Sequence, residues 1–158
     1  MDPEEVKAVI ADAAASIPVD VQAAAERLGV IVYSKKLPPK ISGMLVQDDR
    51  YGSRSGFVIF VEQTEPAVRQ RFTAAHELGH FALHRAMIGT GITDNYLLRS
   101  EGMTNRQEVE ANKFAADLLM PMDQIEKAMS RGTVTPEDLA AEFDVSKVAM
   151  SIRLGLVT

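Results

Sequence analysis

The spacing of apolar positions divides the chain into helices, then strands, then helices again. Residues 3–15 carry alanines behind Pro3, a residue suited to the first turn of a helix, and predict one there. A second helix is expected from Pro18 to Gly29. Val21, Ala24, Ala25 and Leu28 recur at helical spacing, and Gly29 suits the position just past a helix end. The period then changes. Val30 to Tyr33 and Ile41 to Val46 read as strands, and Phe57-Val58-Ile59-Phe60-Val61 is the strongest strand signal in the chain. Leu37-Pro38-Pro39 breaks the first pair apart, and the polar stretch Gln47 to Gly56 is a turn or loose hairpin loop before the third. The expectation is a small, mostly antiparallel three-stranded sheet, which needs a helix packed on it to be stable.

Helical spacing resumes after Thr64-Glu65-Pro66, with Thr64 the expected N-cap. Ala74, Ala75, Leu78, Phe81, Ala82 and Leu83 make the following helix apolar on most sides, the mark of a buried element. Residues 87–102 contain three glycines and no clear period, and a loop of that length tends to be functional or mobile. Thr104 and Gln107 form a capping box ahead of a helix from Asn105 to Met120. Pro121 resets the chain into a short helix near Met122 to Ser130. Thr135 and Asp138 make another capping box around Pro136, and Ser146 caps a last helix ending at Gly155. Joined by Phe143-Asp144-Val145, these two helices resemble a helix-turn-helix. The predicted fold class is α+β, with helices around the small sheet. The expected organisation is residues 1–130 with residues 131–158 packed on them as a C-terminal extension.

Chemistry concentrates in the buried helix. The chain has three histidines, His76, His80 and His84, and all lie within nine residues. His76-Glu77-Leu78-Gly79-His80 is an H-E-x-x-H arrangement. A helix turns about 100° per residue, so His76 and His80 share a face and can bind one metal ion. Glu77 lies on the flank, within reach of a metal-bound water. A catalytic zinc site takes three protein ligands and leaves one position for water. With no cysteine in the chain, the third ligand must be a carboxylate. His84, eight residues from His76, is about 12 Å along a straight helix and cannot join it on one ion. Its expected use is to favour the helix dipole and satisfy a carbonyl in the last turn, with a role behind a ligand or against substrate as the lesser alternative. The helix after the long loop offers the carboxylate. Glu108 and Asn112 share one face, and Glu110 lies about 200° around from Glu108. Asn112 or Asp117 can orient a ligand histidine through its second nitrogen.

The stretch R-Q-R-F-T-A-A-H-E-L-G-H-F-A-L-H, followed by E-V-E-A-N-K-F-A-A-D-L-L-M-P, resembles the ImmA/IrrE family of zinc metallo-endopeptidases. The preceding I-P-V-D-V-Q-A-A-A-E-R-L-G-V and the later L-A-A-E-F-D-V-S-K-V-A-M-S-I-R-L extend the likeness over about residues 17 to 156. The resemblance implies a gluzincin-like active-site helix, zinc as the cofactor, His76 and His80 as ligands and Glu77 as general base. It implies Glu108 as the third ligand, with Glu110 the alternative. It also implies a protein substrate, a helix-turn-helix repressor of a bacterium or mobile element, cut to relieve repression, often under stress. Two other readings compete. One is a non-proteolytic regulatory or toxin–antitoxin binding module, and the other is a DNA-binding regulator using residues 136–154.

Composition narrows these choices. The net charge is −5, so no global attraction to nucleic acid or anionic lipid is expected. From Arg131 to the end, Arg131, Lys147 and Arg153 face Glu137, Asp138, Glu142 and Asp144, where a DNA reader presents a basic face. No apolar run approaches the roughly 18 residues of a transmembrane helix, and the acidic start M-D-P-E-E is no secretory leader, so a cytoplasmic protein is expected. Arg69 and Arg71, near a helix start, are either solvated or paired to an acidic loop. Phe57 to Val61 is core, and its edge could also hold an extended substrate by strand addition. Tyr96, in the long loop, is a candidate hydrogen-bond donor to a transition state.

Overall fold

The computed structural model of the chain describes residues 1–87 and 104–156. Helix α1 (Pro3–Ala13) leads into α2 (Val21–Arg27). Strands β1 (Ile31–Lys35), β2 (Gly43–Gln47) and β3 (Phe57–Glu62) follow, then the long helix α3 (Ala67–His84). Further along the chain come α4 (Asn105–Leu119), α5 (Met122–Ser130), α6 (Pro136–Phe143) and α7 (Lys147–Arg153). The α+β class is as expected.

The strand order is β1-β3-β2. β2 and β3 form an antiparallel hairpin, while β1 runs parallel to β3, so the sheet is mixed. The Pro38-Pro39 corner carries the chain from one edge of the sheet to the other, which leaves the centre for β3. This explains why β3 is the most apolar strand. Phe57, Ile59 and Val61 enter the main core, while Val58 and Phe60 join Leu37, Met44 and Val46 on the opposite face. Each such side chain contributes about 1.5–3 kcal/mol on full burial. Because β3 is paired on both sides, it offers no edge to a substrate; the sheet's two edges belong to β1 and β2.

Two helix starts differ from the expected ones. Helix α2 begins at Val21, because Asp20 is the cap and accepts the Ala23 N–H at 3.0 Å. Helix α3 begins after Pro66 without a side-chain cap, because Thr64 is committed elsewhere. Its hydroxyl and its N–H both donate to Glu62 Oε2. Glu62 Oε1 accepts the Leu37 N–H at 2.7 Å, so this one carboxylate ties the end of β3 to the Pro-Pro corner.

The capping box of α4 forms as read. Gln107 N–H donates to Thr104 Oγ1 at 3.2 Å, and Thr104 N–H donates to Gln107 Oε1 at 2.9 Å. It fixes the first turn of α4, in which Glu108 sits. Helices α6 and α7 bury Leu139, Phe143 and Met150 in the main core. Two arginines brace that contact. Arg71 of α3 donates to the carbonyls of Val19 (2.8 Å) and Asp144 (3.0 Å) and pairs with the Asp144 carboxylate at 3.3 Å. Arg153 donates to the Met120 carbonyl at 2.9 Å and pairs with Asp117 at 3.0 Å. Arg69 pairs with Glu65 one turn before it, at 2.8 Å. Among the described residues, no helix is long and apolar enough to cross a membrane.

Candidate metal centre

The site forms where α3 and α4 cross. Gly79 allows the close approach. A Cβ there would lie 3.0 Å from Phe114 Cβ and 3.1 Å from the Ala111 carbonyl oxygen. Helical spacing puts His76 and His80 on the face of α3 toward α4. Glu108 reaches both rings from the first turn of α4. Its Oε2 lies 3.1 Å from His76 Nε2 and its Oε1 lies 2.9 Å from His80 Nε2. Ligand atoms of the His76, Glu77 and His80 side chains also lie within 4.8 Å of one another, so this cluster can hold a metal ion. Proximity alone would admit Glu77 as a ligand, but Glu108 is the carboxylate in contact with both Nε2 atoms.

The donor set fits a metal. Two imidazole nitrogens and one carboxylate are the ligand chemistry of a catalytic zinc site with an open fourth position. In a tetrahedron with bonds of about 2.0–2.1 Å, neighbouring ligand atoms lie about 3.4 Å apart. Donor atoms 2.9–3.1 Å apart need only a slight outward relaxation to meet that.

The outer nitrogens are held as a metal centre requires. His76 Nδ1 lies 2.8 Å from Asn112 Oδ1. An amide oxygen only accepts, so Nδ1 carries a proton, and in the neutral ring Nε2 keeps its lone pair for an ion. Of the two residues that spacing offers for orienting a histidine, Asn112 is the one in contact with a histidine's outer nitrogen. The other, Asp117, is engaged by Lys113 (2.8 Å) and Arg153. His80 Nδ1 lies 3.0 Å from His84 Nδ1, and His84 Nε2 lies 3.4 Å from Glu110 Oε1. His84 is therefore bonded to a neighbouring histidine instead of a backbone carbonyl, and Glu110 stands behind it. That role was open to reading, since His80 and His84 are one turn apart and share a face. Tyr96 and the rest of the long loop lie outside the described residues.

Beside this crossing, between α3 and β2, a cleft of about 320 Å³ opens along His76 and Glu77. Lys40, Ile41, Ser42, Gly43, Phe72 and Thr73 complete its walls. Gly43 begins the edge strand β2. A Cβ there would collide with Thr73 Cγ2 and sit 3.3 Å from Glu77 Cγ, so glycine lets the strand pass close beside Glu77.

An H-E-x-x-H helix packed on a small sheet, with a carboxylate brought in from a second helix, is a metallopeptidase-type fold with a possible metal site. The chain belongs to the Peptidase_M78 family, whose model, described as the IrrE N-terminal-like domain, matches residues 25–155. No curated protein matches the chain. Among solved structures it is similar to a Mycobacterium tuberculosis transcriptional regulator, with a TM-score of 0.63 and 14% identity. That likeness covers 98% of this chain but 47% of the regulator, so the chain spans about half the length of that protein. At this identity the likeness is one of fold.

Proposed function

We propose that this protein is a zinc-dependent endopeptidase whose substrate is a helix-turn-helix repressor, with zinc held by His76, His80 and Glu108. The observation that carries the reading is the convergence of two histidine Nε2 atoms and one carboxylate at 2.9–3.1 Å, with Glu77 beside them on an open cleft. Bound zinc supplies Lewis acidity toward the scissile carbonyl and lowers the pKa of water. Glu77 accepts the proton of the attacking water and delivers it to the leaving amine. Asn112 and His84 keep the ligand rings in orientation through their outer nitrogens. The cleft along β2 receives the peptide, whose backbone can pair with the open strand edge. Residues 1–130 carry the chemistry, residues 131–158 pack on them, and the reaction takes place in the cytoplasm.

Incubating the zinc-loaded protein with the repressor encoded next to it tests this reading. Cleavage is expected, and Glu77→Gln should keep zinc but lose about 10²–10⁴ in rate. Glu108→Ala should lose zinc affinity. Normal cleavage by Glu77→Gln would overturn the mechanism. Zinc binding with no cleavage would favour a regulatory binding module instead. A direct DNA-binding role draws little support from the C-terminal pair. Lys147 is paired with Glu137 at 2.7 Å, Arg131 with Glu142 at 3.2 Å and Arg153 with Asp117 at 3.0 Å.

A further inference from the structure

The two histidines differ in what lies behind them. His76 leans on a single exposed amide, Asn112. His80 leans on a second histidine, and that histidine on a carboxylate, in a chain from His80 Nδ1 to His84 Nδ1 and from His84 Nε2 to Glu110 Oε1. Both rings are buried, at 0% and 4% exposure, so water cannot stand in for a missing partner.

We propose that Glu110 and His84 act as a tautomer lock on His80, positioning its lone pair for metal. This rests on the metal-centre reading above. Only one proton fits between two Nδ1 atoms 3.0 Å apart. If His84 donates it, the remaining proton of a neutral His80 lies on Nε2. There it faces Glu108 at 2.9 Å, a good acceptor, and the metal position on that nitrogen is closed. If His80 donates it, Nε2 is free to ligate, and His84 must carry its own proton on Nε2. Glu110 faces that second proton and favours this arrangement. The two glutamates of E-V-E therefore act in opposition on one imidazole when no metal is bound: Glu108 favours the closed tautomer and Glu110 the open one. This gives Glu110 a use that a position about 200° from Glu108 does not suggest.

The test measures zinc affinity of the full chain by competition with a chromogenic chelator. His84→Leu should bind zinc about 10–100-fold more weakly, and Glu110→Met, which has no oxygen to accept from His84, about tenfold more weakly. His84→Asn is the rescue. Its amide oxygen accepts from His80 Nδ1 without any proton to be placed, so affinity should return to near that of the wild type. Adding Glu110→Met to His84→Asn should then have no further effect. In the metal-free protein, ¹⁵N NMR of the imidazoles should show the Nδ1–H population of His80 falling in Glu110→Met. Wild-type affinity in Glu110→Met with an unchanged His80 tautomer would overturn the lock. That residue's side chain is 45% exposed, so the result stands even if His84→Leu does not fold. A wild-type chain that binds no zinc would instead sink the metal-centre reading itself.

Discussion

Polar groups cluster against helix α3 at two places, and the two are satisfied in different ways. At the corner leading from β3 into α3, one carboxylate, Glu62, is held mainly by backbone and hydroxyl donors: the N–H of Leu37, and the N–H and hydroxyl of Thr64. In the crevice between α3 and α4, side chains answer one another, across 26 to 36 residues of sequence between the helices and across one turn between His80 and His84. Asn112 meets His76, His84 meets His80, Glu110 meets His84, and Glu108 meets both inward nitrogens. Burying the imidazoles of His80 and His84 costs stability unless they are paired, and apolar side chains would fill the same volume at less cost. The corner spends its carboxylate on holding a turn. The crevice gathers ionisable groups that no turn requires and aims three donor atoms at one point, which is the signature of a site.

The sharpest way to break this contrast is to remove a partner from the crevice. Asn112→Ala leaves His76 Nδ1 without its acceptor, and its ring loses the fixed orientation. Zinc affinity should fall about 10–100-fold, on the order of 1.4–2.7 kcal/mol. Asn112→Asp keeps an acceptor at the same place and should retain affinity. Calorimetric titration with zinc decides, and equal affinity of Asn112→Ala and wild type would refute the role.

A smaller effect is expected where the helices touch. Gly79→Ala gains about 1 kcal/mol of helix propensity, but overpacking typically costs about 1–3 kcal/mol. Here the overpacking should win, because two of the three nearest atoms belong to the backbone of α4, at Ala111, and cannot turn aside. The metal-free variant should be less stable by about 1 kcal/mol in urea unfolding. A more stable variant would mean that α4 moves away freely, and that the crossing does not fix Glu108.

Much of the crevice is legible from the chain because its rules are local. The i, i+4 spacing gives His76 and His80, the missing cysteines call for a carboxylate, and Thr104 with Gln107 marks where the carboxylate's helix begins. What escapes is pairing across elements. His84 is excluded as a ligand by distance along the helix, but nothing local says that its partner is another histidine ring. Spacing admits both Asn112 and Asp117 as orienting residues, and only the packing of α7 assigns Asp117 to Arg153. The sheet shows the same limit. The three strands are visible one by one, yet β1 runs parallel to β3 because the Pro-Pro corner crosses the sheet, a fact that no strand's own pattern holds. Thr64 looks like a helix cap and is instead bound to a carboxylate two residues before it.

The corner can be tested through pH, and the expected effect is the smallest of the set. The Thr64 hydroxyl, followed by the backbone N–H groups of Leu37 and Thr64, stabilises the ionised Glu62 and pulls its pKa from 4.5 to about 2; burial opposes the shift, and Lys36 adds a weak favourable charge. A depressed pKa in the folded state means that the unfolded chain binds the proton more tightly. The contribution is therefore fully present above about pH 4.5 and is lost as pH falls toward 2. Glu62→Gln carries no titrating group at this position, so it should be less stable than wild type near neutrality, and the gap should close between pH 4.5 and 2. Urea midpoints of the two metal-free proteins, compared pH by pH, isolate this residue, since distant carboxylates contribute equally to both. A gap that stays constant through that window would show that Glu62 holds the corner by shape and hydrogen bonding alone, and not by its charge.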